Sequence, residues 1–512
     1  MSSTILKPAG TVSYHEPSLP HLLTLISFIY LLNFARTIAD TVLGAGLLGE
    51  IAIGVVYGPV AKILETEWQD TFLAIGYIGL VLIVFEGGLT LDLRSFVPLL
   101  PLALVSALAG ILLPLAFTFA LFSAPSFGYP PIQAFTAGSA LASTSLGTTF
   151  FVLKSAGQGL DATRIAQVLK GAALVDDIIA LVLLSVISSL AGDEGTSLGW
   201  TIGRPIVASV AMCLVSPLVI LYVLRPFFKL RKVATWVDRG GKAVKLFLGV
   251  AVLSAYLAIA YYAGTTVLLG AFLAGVTLPF LSPSSSTSSS PTFEQVYEHY
   301  LVPLQTYLLV PFFFGSIGYS IPFLELWKGR IIWKGIVYSI LMTLGKILVG
   351  VTVVVNDGLF GGRGKEREGE GGRGGELEEK EEGKGTRNVS NTFAERSRPF
   401  STPTPTLSTS STTVVEDDTK RQNDRKQSFV KETLPAASFL GLALIARGEI
   451  GILVLQVAYN ANTSSSNASS SVLSTEPYLV AIWAVLICTI VGPVGFARLV
   501  KIREGTGPWD GA

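Results

Sequence analysis

The chain has 512 residues, half of them hydrophobic and only 14% charged, with a net charge of +1. A soluble protein of this length carries about a quarter charged residues, so a soluble globular class is excluded, and the near-neutral balance does not point to nucleic acid. The mean hydropathy of +0.58 and apolar blocks of about 17 to 27 residues, each long enough to cross a hydrocarbon core about 30 Å thick, describe an all-α polytopic membrane protein.

In chain order, residues 1–20 are polar and lack a basic lead into a cleavable core, so the segment after His21 reads as a retained first span rather than a signal peptide. Apolar runs between polar or Gly/Pro breaks then give thirteen candidate spans, at 21–37, 41–59, 71–90, 96–122, 132–153, 164–190, 203–225, 245–262, 265–281, 300–321, 331–356, 434–459 and 477–499. Residues 283–290 form a Ser/Pro tract. Residues 357–433 are rich in Gly, Glu, Lys and Arg, then in Ser, Thr and Pro, and are expected to be disordered because they hold too few apolar residues to fold. A short tail, 500–512, follows the last span. Cys213 and Cys488 both lie within apolar runs, which offers neither a disulfide framework nor a CxxC metal site.

Loop charge sets the expected orientation. The loop from Arg225 to Lys245 carries Lys229, Arg231, Lys232, Arg239 and Lys242 and is expected on the cytoplasmic side. Parity then places Arg36, Arg94 and Lys154 inside, together with the 357–433 loop and the C-terminus, and the acidic loop with Glu65, Glu67 and Asp70 outside. The loop before the last span also falls outside, and it holds two glycosylation sequons, at Asn462 and Asn467, which suit that face.

Within the spans, the run GAALVDDIIALVLL places Asp176 and Asp177 side by side in a membrane helix. A charge at the bilayer centre costs at least a few kcal/mol on insertion scales, so function is the default reading. Neighbouring helix positions differ by about 100°, so one aspartate can face a cavity while the other faces a helix. Two such carboxylates repel in a low-dielectric site, which raises and couples their proton affinities and suits exchange of a proton for a cation. The alternative is a pair neutralised by a basic partner and serving only helix packing. Lys346, in the run SILMTLGKILVG of the eleventh span, is such a partner, because it lies too far from either end of that span to reach an interface.

Two further spans are unlike ordinary helices. The fifth, AFTAGSALASTSLGTTFFVL, crowds Ser143, Thr144, Ser145, Gly147 and Thr148 at its centre, and the twelfth carries Arg447, Gly448 and Glu449 in mid-run. Broken helices in transporters expose backbone carbonyls and half-helix ends around a midplane ion site. With 203–225 as a linker, 21–190 and 245–499 form two halves in which these spans are each fifth, as an inverted repeat with crossed discontinuous helices requires. Tight packing through small residues competes for span five, but leaves Arg447 and Glu449 unexplained.

In this order the elements resemble the cation:proton antiporter family, over most of the chain from Leu43 to Arg498. LLGEIAIGVVYGP (47–59), FEGGLTLDLRSF (85–96), ALASTSLGTTFFVL, LVDDIIALVLL, LGAFLAGVTLP (269–279), VPFFFGSIGYSI (310–321), IARGEIGILVL and TIVGPVGFARL carry the match. The resemblance is to a sodium/hydrogen exchanger-like, eukaryotic member of the branch with an Asp-Asp motif, associated with electrogenic exchange. It implies that Asp177 binds cation and proton, that Asp176 forms a salt bridge with Lys346, and that Ser143, Thr144 and Ser145 line the ion site. It also implies alternating access, with a core domain moving against a dimerisation domain in a homodimer. The transported Na⁺ or K⁺ and H⁺ are the expected partners, with no cofactor. Glu86 is more typical of the Asn-Asp branch, and no G-x-G-x-x-G nucleotide-binding domain follows the last span.

Other classes fit less well. An aspartyl intramembrane protease needs its carboxylates on two facing helices, and a serine type needs a mid-membrane histidine, whereas the three histidines are His15, His21 and His299. A cation or proton channel with the same broken-helix residues is the remaining alternative.

Overall fold

The computed structural model describes residues 16, 18–91, 97–145, 164–192, 198–281, 291–352, 354–355, 437–464 and 472–503. The expected disordered loop at 357–433, the tail and the N-terminal segment lie wholly or mostly outside these residues. Everything regular among them is helical, which satisfies each backbone N–H and C=O within its own segment where no water is present to do so.

In chain order the helices are α1 (Leu19–Leu43), α2 (Gly46–Val60), α3 (Thr66–Leu89), α4 (Leu100–Phe122), α5 (Pro131–Ala142), α6 (Arg164–Gly192) and α7 (Gly199–Lys229). The short α8 (Arg231–Arg239) leads to α9 (Gly241–Ala263), α10 (Val267–Leu281), α11 (Phe293–Ser320), α12 (Gly329–Val349), α13 (437–443), α14 (Glu449–Ser464) and α15 (Thr475–Arg503). Nine of the described helices are long and apolar enough to cross a bilayer alone. The expected spans at 41–59 and 265–281 correspond to the shorter helices α2 and α10, and those at 132–153 and 434–459 leave the helical path at 143–145 and at 446–448, where discontinuous helices are expected. Helix ends follow local chemistry. Pro131 opens α5, where its missing N–H costs nothing. Gly44 closes α1 at φ 68°, and Thr292 and Gln295 cap α11 reciprocally.

The helices sort into two packed groups. In the first, α2 packs on α11 and α3 on α10, while α1 lies along α2 and α9 along α10. In the second, α4 packs on α5, α6 and α12, α12 lies against α15, and α14 contacts α5 and α6. The two seams of the first group need glycine. A Cβ on Gly54 would stand 2.1 Å from the Gly315 carbonyl oxygen, and one on Gly275 the same distance from that of Phe85. Close approach through small residues replaces the hydrophobic drive that lipid cannot supply.

Candidate functional site

The second group is where helices break. At Ser143 the backbone leaves the helix at ψ 144°, ending α5 after twelve residues. Across from it, the chain between α13 and α14 is also non-helical at 446–448, and the two breaks meet through a backbone hydrogen bond from Ser145 N to Ala446 O of 3.0 Å. Gly448 permits the approach, since a Cβ there would fall 2.7 Å from Ser145 Cα.

Each broken end carries a matching charge. Arg447, fully buried, donates from Nη1 to the carbonyls of Ala142 (3.2 Å) and Ser143 (3.1 Å), the orphan acceptors at the end of α5. Glu449 opens α14, where a carboxylate faces the positive helix end, and Ser145 hydrogen-bonds it. Both residues thus serve the crossing itself, a role that their sequence positions signalled only as unexplained charge.

α6 brings the aspartates to this crossing. Asp176, 1% exposed, accepts from Lys346 Nζ at 3.0 Å and from Thr144 Oγ1 at 2.5 Å, and Lys346 Nζ also donates to Thr144 at 3.0 Å. Asp177, 6% exposed, turns elsewhere, close enough to Glu449, Asp176 and Lys346 for all three to act on its charge. Its Oδ1 is buried and has no hydrogen-bond partner among the described residues, as is also true of Asp176 Oδ1. Ser143 and Ser145 are buried at the same place, with Ser143 Oγ donating to Ala140 O.

Lys346 lies in the last regular turn of α12, with helical residues continuing at 351–352 and 354–355, and it is buried because the neighbouring helix makes room. A Cβ on Gly110 of α4 would stand 3.2 Å from the ammonium nitrogen.

A cavity of about 320 Å³ runs from Arg36, Asp40 and Gln305 past Glu50 and Glu86 to Ser145 and Glu449. Glu86 accepts from Gln305 Nε2 at 2.7 Å. Sequence reasoning missed Glu50, which is buried and paired with Arg36 Nη1 at 3.2 Å. Its signal was available, since LLGEIAIG places a carboxylate inside an apolar run. Of the sequons, Asn462 falls in the last turn of α14 and Asn467 lies outside the described residues.

A membrane-embedded bundle in which the end of one helix at Ser143 meets a non-helical stretch at 446–448 beside paired and unpaired buried carboxylates has the site of a secondary active ion exchanger. The chain belongs to the sodium/hydrogen exchanger family, whose transmembrane model matches residues 23–356. It is 25% identical over 307 residues to the probable Na⁺/H⁺ antiporter GerT of Bacillus cereus, covering 59% of this chain and 74% of that one. It is 26% identical over 305 residues to the Na⁺/H⁺-K⁺ antiporter GerN of the same organism, covering 59% and 71%. The high-affinity Na⁺/H⁺ antiporter NhaS3 of Synechocystis is 27% identical over 259 residues, covering 50% and 52%. The fold is similar to that of the sodium proton antiporter MjNhaP1 from Methanocaldococcus jannaschii, with a TM-score of 0.56 at 13% identity, covering 95% of this chain and 99% of that one. The family favours cation:proton exchange over the channel alternative.

Proposed function

We propose that the chain exchanges a monovalent cation, Na⁺ or K⁺, for protons at one site built around Asp177, where each ion displaces the other. The observation that carries this reading is the buried Asp177 Oδ1 without a hydrogen-bond partner among the described residues. A buried carboxylate is costly unless neutralised, and Asp176 and Glu449 nearby add negative charge. Either a proton or a cation meets the need, and each excludes the other. Ser143 and Ser145 at the break supply further oxygen ligands. Lys346 and Thr144 hold Asp176 as a carboxylate, so the adjacent aspartates take different roles. The K⁺ named for GerN keeps that ion beside Na⁺.

The cavity reaches the crossing from the Arg36 and Gln305 side, which loop charge assigns to the cytoplasm, so this is an inward-open arrangement. Alternating access follows if the group holding α4–α6 and α12–α15 slides on the glycine-lined group. The homodimer reading rests on the family resemblance, and a single-chain mass by native mass spectrometry in mild detergent would end it.

Proteoliposomes with a luminal pH dye test the proposal directly. Adding Na⁺, K⁺ or Li⁺ should dequench the dye for at least one ion, and Asp177→Asn should reduce the response to background while the protein stays folded. Near-normal exchange in Asp177→Asn, or proton movement indifferent to every cation, overturns it.

A further inference from the structure

The link between α7 and α9 is the most basic stretch of the chain's short loops. Between Arg225 and Lys245 the sequence has seven basic residues, Arg225, Lys229, Arg231, Lys232, Arg239, Lys242 and Lys245, against one acid, Asp238. The exchange site uses none of them. After Lys229 the chain turns at Leu230 (ψ 126°) and forms α8, nine residues long. At 1.5 Å per residue such a helix is far too short to cross a bilayer. It lies between two membrane helices, so it sits at the level of the headgroups.

Its pattern is that of an interfacial helix. Val233, Trp236 and Val237 recur at i, i+3 and i+4 on one face, while Lys232, Thr235 and Arg239 occupy the other. Val237 is 1% exposed and fastens the helix to the bundle. Trp236, on the same apolar face, is 56% exposed, and Phe227 and Leu230 beside it are 53% and 55% exposed. Tryptophan is enriched at the membrane–water interface because its ring is amphipathic. Arg225, Lys229, Lys232, Arg239 and Lys242 are all exposed; no ion pair among the described side chains involves them, and Lys242 lies 5.9 Å over the Tyr300 ring. Lys245 differs, being buried and donating to the Pro291 carbonyl at 2.7 Å.

We infer that α8 and the end of α7 form a docking surface for the headgroups of anionic phospholipids in the adjoining leaflet. Exposed apolar side chains seat the surface at the acyl boundary, and the exposed cations above them face the phosphates. Clusters of four to eight Lys or Arg on an amphipathic helix or next to a membrane span have this affinity, with each cation contributing about fivefold near an anionic surface. Charge complementarity selects lipid over a second copy of the chain, which would set this basic surface against its own like charge.

The test uses the full chain in nanodiscs, with lipids brominated near the headgroup as tryptophan quenchers. The difference between the wild type and Trp236→Phe isolates the Trp236 signal. Brominated phosphatidylserine should quench Trp236 severalfold more than brominated phosphatidylcholine at equal mole fraction. Molar salt should shrink that preference, since exposed charges are screened. The triple change Lys229→Gln, Lys232→Gln and Arg239→Gln should remove it, with retained cation-dependent dequenching showing that the protein is folded. Equal quenching by the two lipids, or a preference that survives the triple change, overturns the inference. So does loss of the preference together with separation of a dimer into single chains, which would assign the surface to a second copy.

Discussion

Helix α12 carries two buried lysines, Lys334 and Lys346, and each faces a carboxylate from another helix, yet they stand in different surroundings. Lys334, 1% exposed, donates to Glu476 Oε1 at 2.8 Å and to the Tyr129 hydroxyl at 3.0 Å, and its ammonium lies 4.7 Å and 5.0 Å from the ring centroids of Tyr129 and Phe127. Glu476 also receives Arg330 at 2.9 Å and the Tyr129 hydroxyl at 2.9 Å, and 31% of its side chain reaches solvent. Lys346 and Asp176 are 0% and 2% exposed, and beside them two carboxylate oxygens have no partner among the described residues. The first cluster is closed, with every charge answered by another side chain, and it ties the starts of α12 and α15 to the chain just before α5. The second is incomplete. Sites that are filled and emptied by ions must leave electrostatic demand unmet, whereas a fastening need not.

The sharpest way to break this comparison is Lys346→Met. It leaves Asp176 uncompensated where its side chain is only 2% exposed, and loss of one partner of a buried pair costs about 3–5 kcal/mol. Thermal unfolding in detergent should show that loss, and the double change Asp176→Asn with Lys346→Gln should recover much of it. In solid-supported membrane recordings the double variant should still exchange ions, since Asp177 is untouched; if Asp176 releases Lys346 and its proton leaves when a cation enters beside Asp177, the variant should also lose its response to potential, because one less charge then moves per cycle. Simple addition of the two single effects would mean that the residues do not interact.

Gly448→Ala tests the crossing rather than the charges. The new Cβ would meet Ser145 backbone at 2.7 Å, so overpacking of about 1–3 kcal/mol is expected. The half-maximal cation concentration should rise as the two breaks move apart. Unchanged cation affinity would separate the break from the binding site.

Lys334→Met should cost less, about 1–2 kcal/mol, because Glu476 keeps Arg330 and water. Cation affinity should stay within twofold of the wild type. A loss as large as that of Lys346→Met would erase the distinction between the clusters. The smallest effect belongs to Arg330→Gln. Arg330 is 69% exposed, and exposed ion pairs contribute about 0–1 kcal/mol, so the melting curve should barely move.

The sequence by itself determined the membrane class, the positions of most helices, the aspartate pair and the choice of Lys346 as its partner. Each of these is a local statement, because lipid makes the cost of a polar residue readable from its place in an apolar run. The break at Ser143 was legible for the same reason, as a crowd of Gly, Ser and Thr where a helix needs better formers. Tertiary structure alone decided which aspartate is satisfied and which is left open, since that depends on Thr144 and Lys346 arriving together from α5 and α12. It also decided that Arg447 caps the end of α5, that Gly110 makes room for the Lys346 ammonium, and that Lys334 answers Glu476 from 142 residues away. These contacts join segments far apart in the chain, and the energy of a buried charge is set by the partners that fold brings to it, which no periodicity along the chain encodes.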